Sequence, residues 1–414
     1  MDARQAALKA VRRCLEQGLD VQQALDQVLE KVPDPRNRSL ATELCYGYLR
    51  FRGRIDFVLD SFLTKPAGLP LKIRTILGLA GYELFVLDRV PSYAAVSRAV
   101  EHCRAVAGKK MAGLVNAVLR RAADLDFYDP ELYSRDNPPQ WVFLSRYYSC
   151  PEWIVRMWLK EYGPDLCREF LRQSLDKPGL GLRRKRGFQP ALDHEYIIQS
   201  QENSLLVRQD YPGLGKFLAQ GQMFRQSFSG QMIMHQLQTR NWPEPVWDMC
   251  AGRGGKTFFL LDIGKKVLSS DVSFKRITGL RQEAEAQGAF PSLFMARGEE
   301  PPLRVNPGTI LIDAPCSGLG VLSRRPDIKW KRRPMDVPKL AGIQAVLVDS
   351  ALKLSGPGTQ VAYITCTLSR QENEAVISGL KKRHDRFKIL EMCRTDPSQS
   401  HGEFFFGALL ESGG

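Results

Sequence analysis

Apolar residues recur at helical spacing through the first 125 positions of the chain, separated by polar and charged residues. The first such pattern follows Asp2, a residue able to cap a helix, and ends at Gly18. Four further helical patterns cover Asn37–Phe51, Leu71–Leu87, Tyr93–Val106 and Lys110–Ala123. No strand-like alternation interrupts them. Residues 1–125 are therefore predicted to form an all-α bundle with its own core.

The pattern is weaker over residues 126–230, where we place a linker and a small subdomain. Asp124–Pro139 carries acids, prolines and an asparagine, which is typical of a linker. Pro151–Leu175 is helical in pattern, and Leu180–Arg186 is a short strand candidate. Four consecutive basic residues end this strand: Arg183, Arg184, Lys185 and Arg186. They form either a solvated charged face or a strip that contacts phosphates.

From Val246 onward, short apolar runs alternate with helical segments. The predicted strands are Val246–Cys250, Lys266–Val272, Ser292–Ala296, Thr309–Asp313 and Gln360–Thr365. The predicted helices are Phe274–Ala286, Val337–Leu354 and Gln371–Lys381. This order predicts an α/β fold, in which a Rossmann-like, mostly parallel sheet over 231–414 follows the all-α bundle. Ligands of such sheets bind at the carboxyl ends of the strands.

The charge of the chain indicates its partner. A formal net charge of +14 and a pI of about 9.4 favour a polyanion, and nucleic acid is the commonest one. The start of the chain lacks the features of a signal peptide. The most apolar stretch, Thr75–Leu87, contains Glu83 and is too short to span a bilayer. We therefore expect a cytoplasmic protein without a membrane partner, and a monomer.

The nine cysteines include no Cys-x-x-Cys pair, and their number is odd. Both facts argue against a disulfide framework and against a thiolate zinc site, so no metal is expected. Most of these thiols are predicted to be buried, where cysteine behaves as a small apolar residue. A cysteine with a chemical role must be identified by its context.

The turn Cys250–Thr257, here called the glycine loop, joins the first predicted strand of the sheet to a helix. Its glycines allow the backbone to approach a ligand closely. A Walker A loop would need glycine where Cys250 stands, and a dinucleotide fingerprint would need glycine where Thr257 stands. The spacing therefore argues against both of these phosphate-binding motifs.

Two aspartates flank the glycine loop. Asp248 precedes it, and Asp271 ends the next strand, where an acid binds a ribose diol in nucleotide-binding sheets. The pattern favours a ligand with a ribose and no pyrophosphate, and S-adenosylmethionine fits; alternatively, the aspartates only cap the following turns. The predicted cofactor-binding residues are Asp248, Cys250, Ala251, Gly252, Gly254, Gly255, Lys256, Asp271, Arg276 and Asp313.

Two cysteines end neighbouring predicted strands. Cys316 follows Thr309–Asp313, and Cys366 follows Gln360–Thr365. If these strands pair, their axes lie about 4.8 Å apart and both thiols reach the same rim of the sheet. Either cysteine taken alone would more simply be an inert core residue. The pair together fits methylation of cytosine at C5, where a thiolate adds to C6 and a base later removes the C5 proton.

Two further residues complete this predicted catalytic group. Asp313 is placed to bind the N3/N4 edge of the cytosine and to select it over uracil. Lys256 would hold Asp313 or lower the pKa of a thiol. The predicted catalytic residues are therefore Cys366, Cys316, Asp313 and Lys256.

The C-terminal half resembles the Nop/Sun family of RNA 5-methylcytosine methyltransferases. The segments that carry the resemblance are 248–257, 313–320, 325–330, 365–367, 372–374 and 402–405. It implies that Cys366 attacks C6 and that Cys316 assists release, with small-subunit (16S) rRNA as the substrate. The N-terminal region resembles the NusB-like RNA-binding domain in segments 41–47, 88–91 and 113–121.

Two other functions stay open. A methyltransferase for a small molecule or a protein would use the same cofactor loop but would need no cysteine pair. A catalytically weak or inactive RNA-binding or ribosome-assembly factor is the second, because Gly252 and Arg253 replace the Ala-Pro of the family's loop, and Arg297 stands where an acid is expected. The basic residues expected to line an RNA entrance are Arg324, Arg325, Lys329, Lys331, Arg332 and Arg333.

Overall fold

The computed structural model describes residues 1–88, 90–188, 190, 192–300, 303, 306–380, 383–384 and 386–413. Two motif positions fall outside this range: Arg89, and Lys381 at the end of the last predicted helix. The chain forms two compact units. The helical unit comprises Met1–Asp176 with Leu322–Arg332, and the sheet unit comprises Lys177–Val321 with Arg333–Gly414.

Among the described residues, the helical unit is built from seven main helices, of which aspartates cap the first three. Its helices are α1 Ala3–Glu16, α2 Val21–Leu29, α3 Pro35–Asp60, α4 Leu71–Val86, α5 Ser92–Ala122, α6 Gln140–Tyr147 and α7 Glu152–Leu175. Asp2, Asp20 and Asp34 each accept a hydrogen bond from a backbone nitrogen of the following turn. Gly108, with φ of 81°, divides α5 into the two predicted helices. The all-α prediction is confirmed, although it omitted α2 and made α3 too short.

The predicted linker is part of the core of the helical unit. Phe127 and Tyr133 are buried in the same apolar cluster as α1 to α5. Arg54 fixes them, donating to the carbonyl of Phe127 at 2.8 Å and to the hydroxyl of Tyr133 at 3.1 Å. The helical unit therefore includes this segment and extends to Asp176.

Segment 322–332, which includes helix α12 Ile328–Lys331, packs within the helical unit. The indole of Trp330 donates to the carbonyl of Leu49 at 2.6 Å, and the amine of Lys329 donates to the carbonyl of Arg50 at 2.8 Å. Lys329 is 1% exposed, and burial lowers its pKa to about 7. The expectation that Lys329 lines an RNA entrance is therefore wrong, because its amine already has a buried partner.

The sheet unit begins with a four-stranded antiparallel sheet in the order β2-β3-β1-β4. Its strands are β1 Leu180–Arg184, β2 Ile197–Gln201, β3 Ser204–Val207 and β4 Met223–Arg225, and helix α8 Leu214–Ala219 precedes β4. The sequence predicted only β1. Arg183 is buried: it donates to Gln226 at 2.9 Å and to Gln287 at 2.6 Å, and it forms an ion pair with Asp262. Arg183 is therefore neither a solvated residue nor a phosphate contact.

The second sheet has seven strands in the order β10-β11-β9-β8-β5-β6-β7. The strands are β5 Val246–Asp248, β6 Val267–Asp271, β7 Ser292–Met295, β8 Thr309–Asp313, β9 Gln360–Thr365, β10 Phe387–Arg394 and β11 Phe406–Ser412. The five predicted strands pair in parallel, whereas β10 and β11 are antiparallel and were not predicted. The predicted Rossmann-like sheet is confirmed.

Helices cover both faces of this sheet. They are α9 Phe228–Gln236, α10 Gly255–Asp262, α11 Phe274–Gln287, α13 Asp336–Leu354 and α14 Glu374–Leu380. Ile310 and Ile312 of β8 belong to a cluster with residues of α13, and Leu311 between them belongs to a cluster with residues of α9. This alternation follows from the two-residue period of a strand. Because β5, β6, β8 and β9 pair in parallel, their carboxyl ends lie on one rim of the sheet.

Candidate active site

The glycine loop requires glycine at its tightest point. Gly254 has φ of 88°, and a Cβ there would lie 2.1 Å from Cδ1 of Leu280. Gly252 also has a positive φ, 57°. Both values lie in the region that side-chain-bearing residues rarely adopt. Glycine at these two positions permits the tight path of the loop that the sequence predicted to bind a cofactor.

Asp248 is completely buried beside this loop. Its Oδ2 accepts from the hydroxyl of Thr257 at 2.7 Å, while its Oδ1 has no hydrogen-bond partner among the described residues. Burial raises the pKa of Asp248 to about 7. A buried, unpartnered acceptor requires a donor, and the ammonium group of an amino acid supplies one.

Asp271 binds the opposite side of the glycine loop. Its Oδ2 accepts from the nitrogen of Gly252 at 3.1 Å, and its Oδ1 accepts from the nitrogen of Ser273 at 2.8 Å. The guanidinium of Arg276 approaches to 3.5 Å but is 60% exposed, so it adds little rigidity. Both aspartates therefore make local turn contacts, as the capping interpretation expected. Both also border the glycine loop.

The two cysteines predicted to face one ligand are in contact. The sulfur atoms of Cys316 and Cys366 lie 3.2 Å apart, and the nitrogen of Cys366 lies 3.4 Å from the sulfur of Cys316. They follow β8 and β9, which pair in parallel with Asp313 opposite Ile364. The hydrogen bond with Cys366, together with burial, raises the pKa of Cys316 well above that of a free thiol.

Lys256 and Asp313 form an ion pair at the same rim. The amine of Lys256 lies 2.6 Å from Oδ2 of Asp313 and 5.8 Å from the centre of the Phe405 ring. The amine is nearly buried, whereas the side chain of Asp313 is 37% exposed. Lys256 therefore fixes a carboxylate that a ligand can reach, which is the arrangement that the sequence predicted.

Glu372 connects the two cysteine loops, and sequence reasoning assigned it no role. Its carboxylate accepts from the nitrogen and the hydroxyl of Ser317 at 2.7 and 2.5 Å, and from Gln344 at 3.1 Å. The hydroxyl of Thr367 lies 3.3 Å away. Burial raises the pKa of Glu372. An acid six residues after Cys366, just before an apolar helix, was the available signal.

Gly320 permits a second link between the loops. Its nitrogen donates to the carbonyl of Cys366 at 3.0 Å, and its carbonyl accepts from the nitrogen of Phe404 at 2.7 Å. A Cβ at this position would lie 2.2 Å from the oxygen of Phe404. Only glycine fits between these backbones, so Gly320 helps to fix the position of Cys366.

Other predicted residues contribute less. Ala251 donates from its nitrogen to the carbonyl of Ser270 at 2.9 Å and is buried, and Gly255 begins α10. The thiol of Cys250 is partly buried against the sheet core, and burial raises its pKa. In the described part of the chain, no group of three His, Cys, Asp or Glu side chains is arranged to hold a metal ion. Among the described helices, none is long and apolar enough to cross a membrane.

Three features of this site fit a ligand that carries a ribose and an ammonium group. They are the glycine loop, the unpartnered oxygen of Asp248 and the carboxylate of Asp271. Together with the sheet order, they define an S-adenosylmethionine-dependent methyltransferase. Residues 234–405 match the family model described as 16S rRNA methyltransferase RsmB/F, and residues 1–124 match the NusB family. The chain thus carries one region that matches the RsmB/F methyltransferase family and one that matches the NusB family.

Some relatives match nearly the whole chain. Ribosomal RNA small subunit methyltransferase B of Escherichia coli (strain 536) is 27% identical over 435 residues, which is 98% of this chain and 98% of the relative. The crystal structure of PH0851 superposes with a TM-score of 0.77 at 19% identity, over 99% of this chain and 98% of that one. The structure of NSun6 from Pyrococcus horikoshii with SFG has a TM-score of 0.51 at 18% identity, over 63% and 98%. At these identities the solved structures show the fold alone.

Proposed function

We propose that this chain methylates C5 of a cytosine in 16S rRNA through a covalent bond between Cys366 and C6. The contact between the sulfurs of Cys366 and Cys316, 3.2 Å apart, is the observation that carries the proposal. A methyltransferase for small molecules or proteins needs no such pair. The net charge of +14 suits an RNA substrate.

Cys366 is the nucleophile. As a thiolate it forms a bond to C6, and the electrons of the C5–C6 double bond move to C5, which becomes nucleophilic. S-adenosylmethionine, when bound, supplies an electrophilic methyl group. The target cytosine must leave its stack, or already be single-stranded, for the sulfur to reach C6.

Asp313 orients the base. Its reachable carboxylate accepts from the N4 amino group of cytosine, whereas uracil presents a carbonyl oxygen there and would be repelled. Lys256, 2.6 Å away, holds this carboxylate in place. The pair therefore acts in both base selection and adduct stabilisation.

Release of the product completes the reaction. A base removes the C5 proton, the C5–C6 double bond re-forms, and the bond between Cys366 and C6 breaks. Cys316 is the group in contact with Cys366, so we assign it the role of assisting this step. Glu372 and Gly320 position the two cysteines without touching the base.

The proposal has a direct test. Bisulfite sequencing of 16S rRNA from cells with and without the gene should show a methylated cytosine that disappears with the gene and does not return with the Cys366→Ala variant. An unchanged methylation pattern would contradict the proposal.

Since ribosomal RNA is the proposed substrate, we place the enzyme in the cytoplasm. We propose that it acts as a monomer and contacts phosphates through its helical unit.

A further inference from the structure

A cavity lies in the sheet unit, outside the site of Cys316 and Cys366. It has a volume of about 630 Å³, and its walls come from β4, the start of α10 and one face of α11. This volume is in the range of sites for small organic ligands. The proposed mechanism uses none of the side chains that line it.

Two arginines on the wall of this cavity have no partner in the described part of the chain. Arg225 and Arg253 are exposed, and neither guanidinium group makes a hydrogen bond or an ion pair with a described residue. The third arginine of the wall, Arg183, is neutralised by Asp262. The one carboxylate of the wall, Glu283, already accepts from Gln287 at 2.8 Å. The cavity therefore offers two free cations to an anion, and guanidinium groups suit phosphate.

The rest of the wall suits a base. Phe224 and Phe258 line the cavity, with the Arg183 guanidinium 4.8 and 5.7 Å from their ring centres. The amide of Gln282 also has no partner among the described residues, and an amide can both donate and accept hydrogen bonds. The same cavity is lined by the free guanidinium groups of Arg225 and Arg253, and aromatic and cationic side chains together commonly hold a nucleotide of single-stranded RNA.

We propose that this cavity binds a nucleotide of the substrate RNA other than the target cytosine, with its phosphate on Arg225 and Arg253. Gly255 lines the cavity, and the next residue, Lys256, holds Asp313. The cavity thus lies beside the loop that carries the cytosine-binding ion pair. This inference rests on the proposed function, because it requires an RNA substrate.

Arg225→Gln tests the proposal, because Arg225 lies on β4 and outside the glycine loop. Binding of a 16S rRNA transcript is measured by filter retention at several salt concentrations, and methylation by transfer of a labelled methyl group. The variant should reduce the slope of log affinity against log salt by about one, and raise KM for RNA several-fold with kcat unchanged. The matched control is Arg281→Gln, since Arg281 is an exposed and unpartnered arginine on α11 outside the cavity wall.

Equal slopes for Arg225→Gln, Arg281→Gln and the unaltered enzyme would overturn the proposal. So would a loss of affinity for cytidine monophosphate with the RNA slope unchanged, because the cavity would then hold a free nucleotide. If Arg225→Gln does not fold, Arg225→Met gives the same comparison, because it also removes the charge. Failure of the proposed function is seen separately, as methylation that survives Cys366→Ala.

Discussion

The carboxylate of Glu372 accepts two hydrogen bonds from Ser317, one from the backbone nitrogen at 2.7 Å and one from the hydroxyl at 2.5 Å. Ser317 is the neighbour of Cys316, and Glu372 follows Cys366 by six residues. Glu372 therefore ties together the two loops that end β8 and β9. The distance between the two sulfur atoms depends on this link.

Glu372→Gln should lower kcat at least tenfold and leave KM for RNA nearly unchanged. The amide keeps the shape of the side chain but turns one acceptor into a donor, which faces the nitrogen of Ser317 or its hydroxyl. Loss of a buried acceptor costs about 1–3 kcal/mol, to be checked by denaturant unfolding. A variant with unaltered kcat would show that the link does not position the cysteines.

Gly320→Ala should impair both stability and catalysis, because the new methyl group would lie 2.2 Å from the oxygen of Phe404. Gly342→Ala is the matched control: Gly342 lies in α13 with nothing within 4 Å of the added atom. Alanine there should stabilise the helix by up to about 1 kcal/mol. Thermal unfolding and methyl transfer distinguish the two variants, and equal behaviour would contradict the close approach.

Cofactor affinity should rise with pH up to about 7. Asp248 has a pKa raised to about 7, and it must lose its proton to bind the ammonium group of S-adenosylmethionine. Below that pH, affinity should fall by up to tenfold per unit. Calorimetry at pH 6 and pH 8 measures the difference, and Asp248→Asn should abolish it. An affinity that is independent of pH would contradict this role for Asp248.

The same group makes folding of the free protein depend on pH. Because the pKa of Asp248 is higher in the folded state than in the unfolded chain, the folded state binds more protons. Its contribution to stability is fully present below the unfolded pKa, near 4, and is lost as pH rises towards 7. The stability of Asp248→Asn relative to the unaltered protein, measured without cofactor, should therefore increase as the pH rises to 8.

Lys329→Met should leave the salt dependence of RNA binding unchanged, because the amine is buried against the carbonyl of Arg50. Its pKa is lowered to about 7, so the unfolded chain binds more protons between pH 7 and 10, and stability rises with pH over that range. The variant should lose this rise in unfolding free energy. A smaller salt slope for RNA would instead mean that Lys329 contacts phosphate.

The fold and the cysteine pair were predictable because both depend on local pattern. Strand-length apolar runs that end in Asp313 and Thr365 place the next cysteines on one rim of a parallel sheet. The environments of Arg183 and Lys329 were not predictable, because their partners, Gln287 and Arg50, lie 104 and 279 residues away. A run of basic residues shows charge. It does not show the acid that neutralises a side chain or the carbonyl that accepts its hydrogen bond.

The C-terminal strands and Glu372 were missed for related reasons. β10 and β11 alternate weakly, and the antiparallel pairing of β10 with β11 and of β11 with β9 depends on contacts distant in sequence. The sequence shows no role for Glu372, because Ser317 and Gln344 contact it only in the folded chain. Long-range hydrogen bonds to a single acid therefore escaped a pattern-based prediction.

The covalent role of Cys366 is tested most directly by incubating the Cys316→Ala variant with 16S rRNA and cofactor, followed by a denaturing gel. A protein–RNA adduct that survives denaturation is predicted for Cys316→Ala, because addition proceeds while release stalls. No adduct is predicted for Cys366→Ala or for the double variant. Normal turnover by Cys316→Ala without an adduct, or an adduct that persists in Cys366→Ala, would contradict the account.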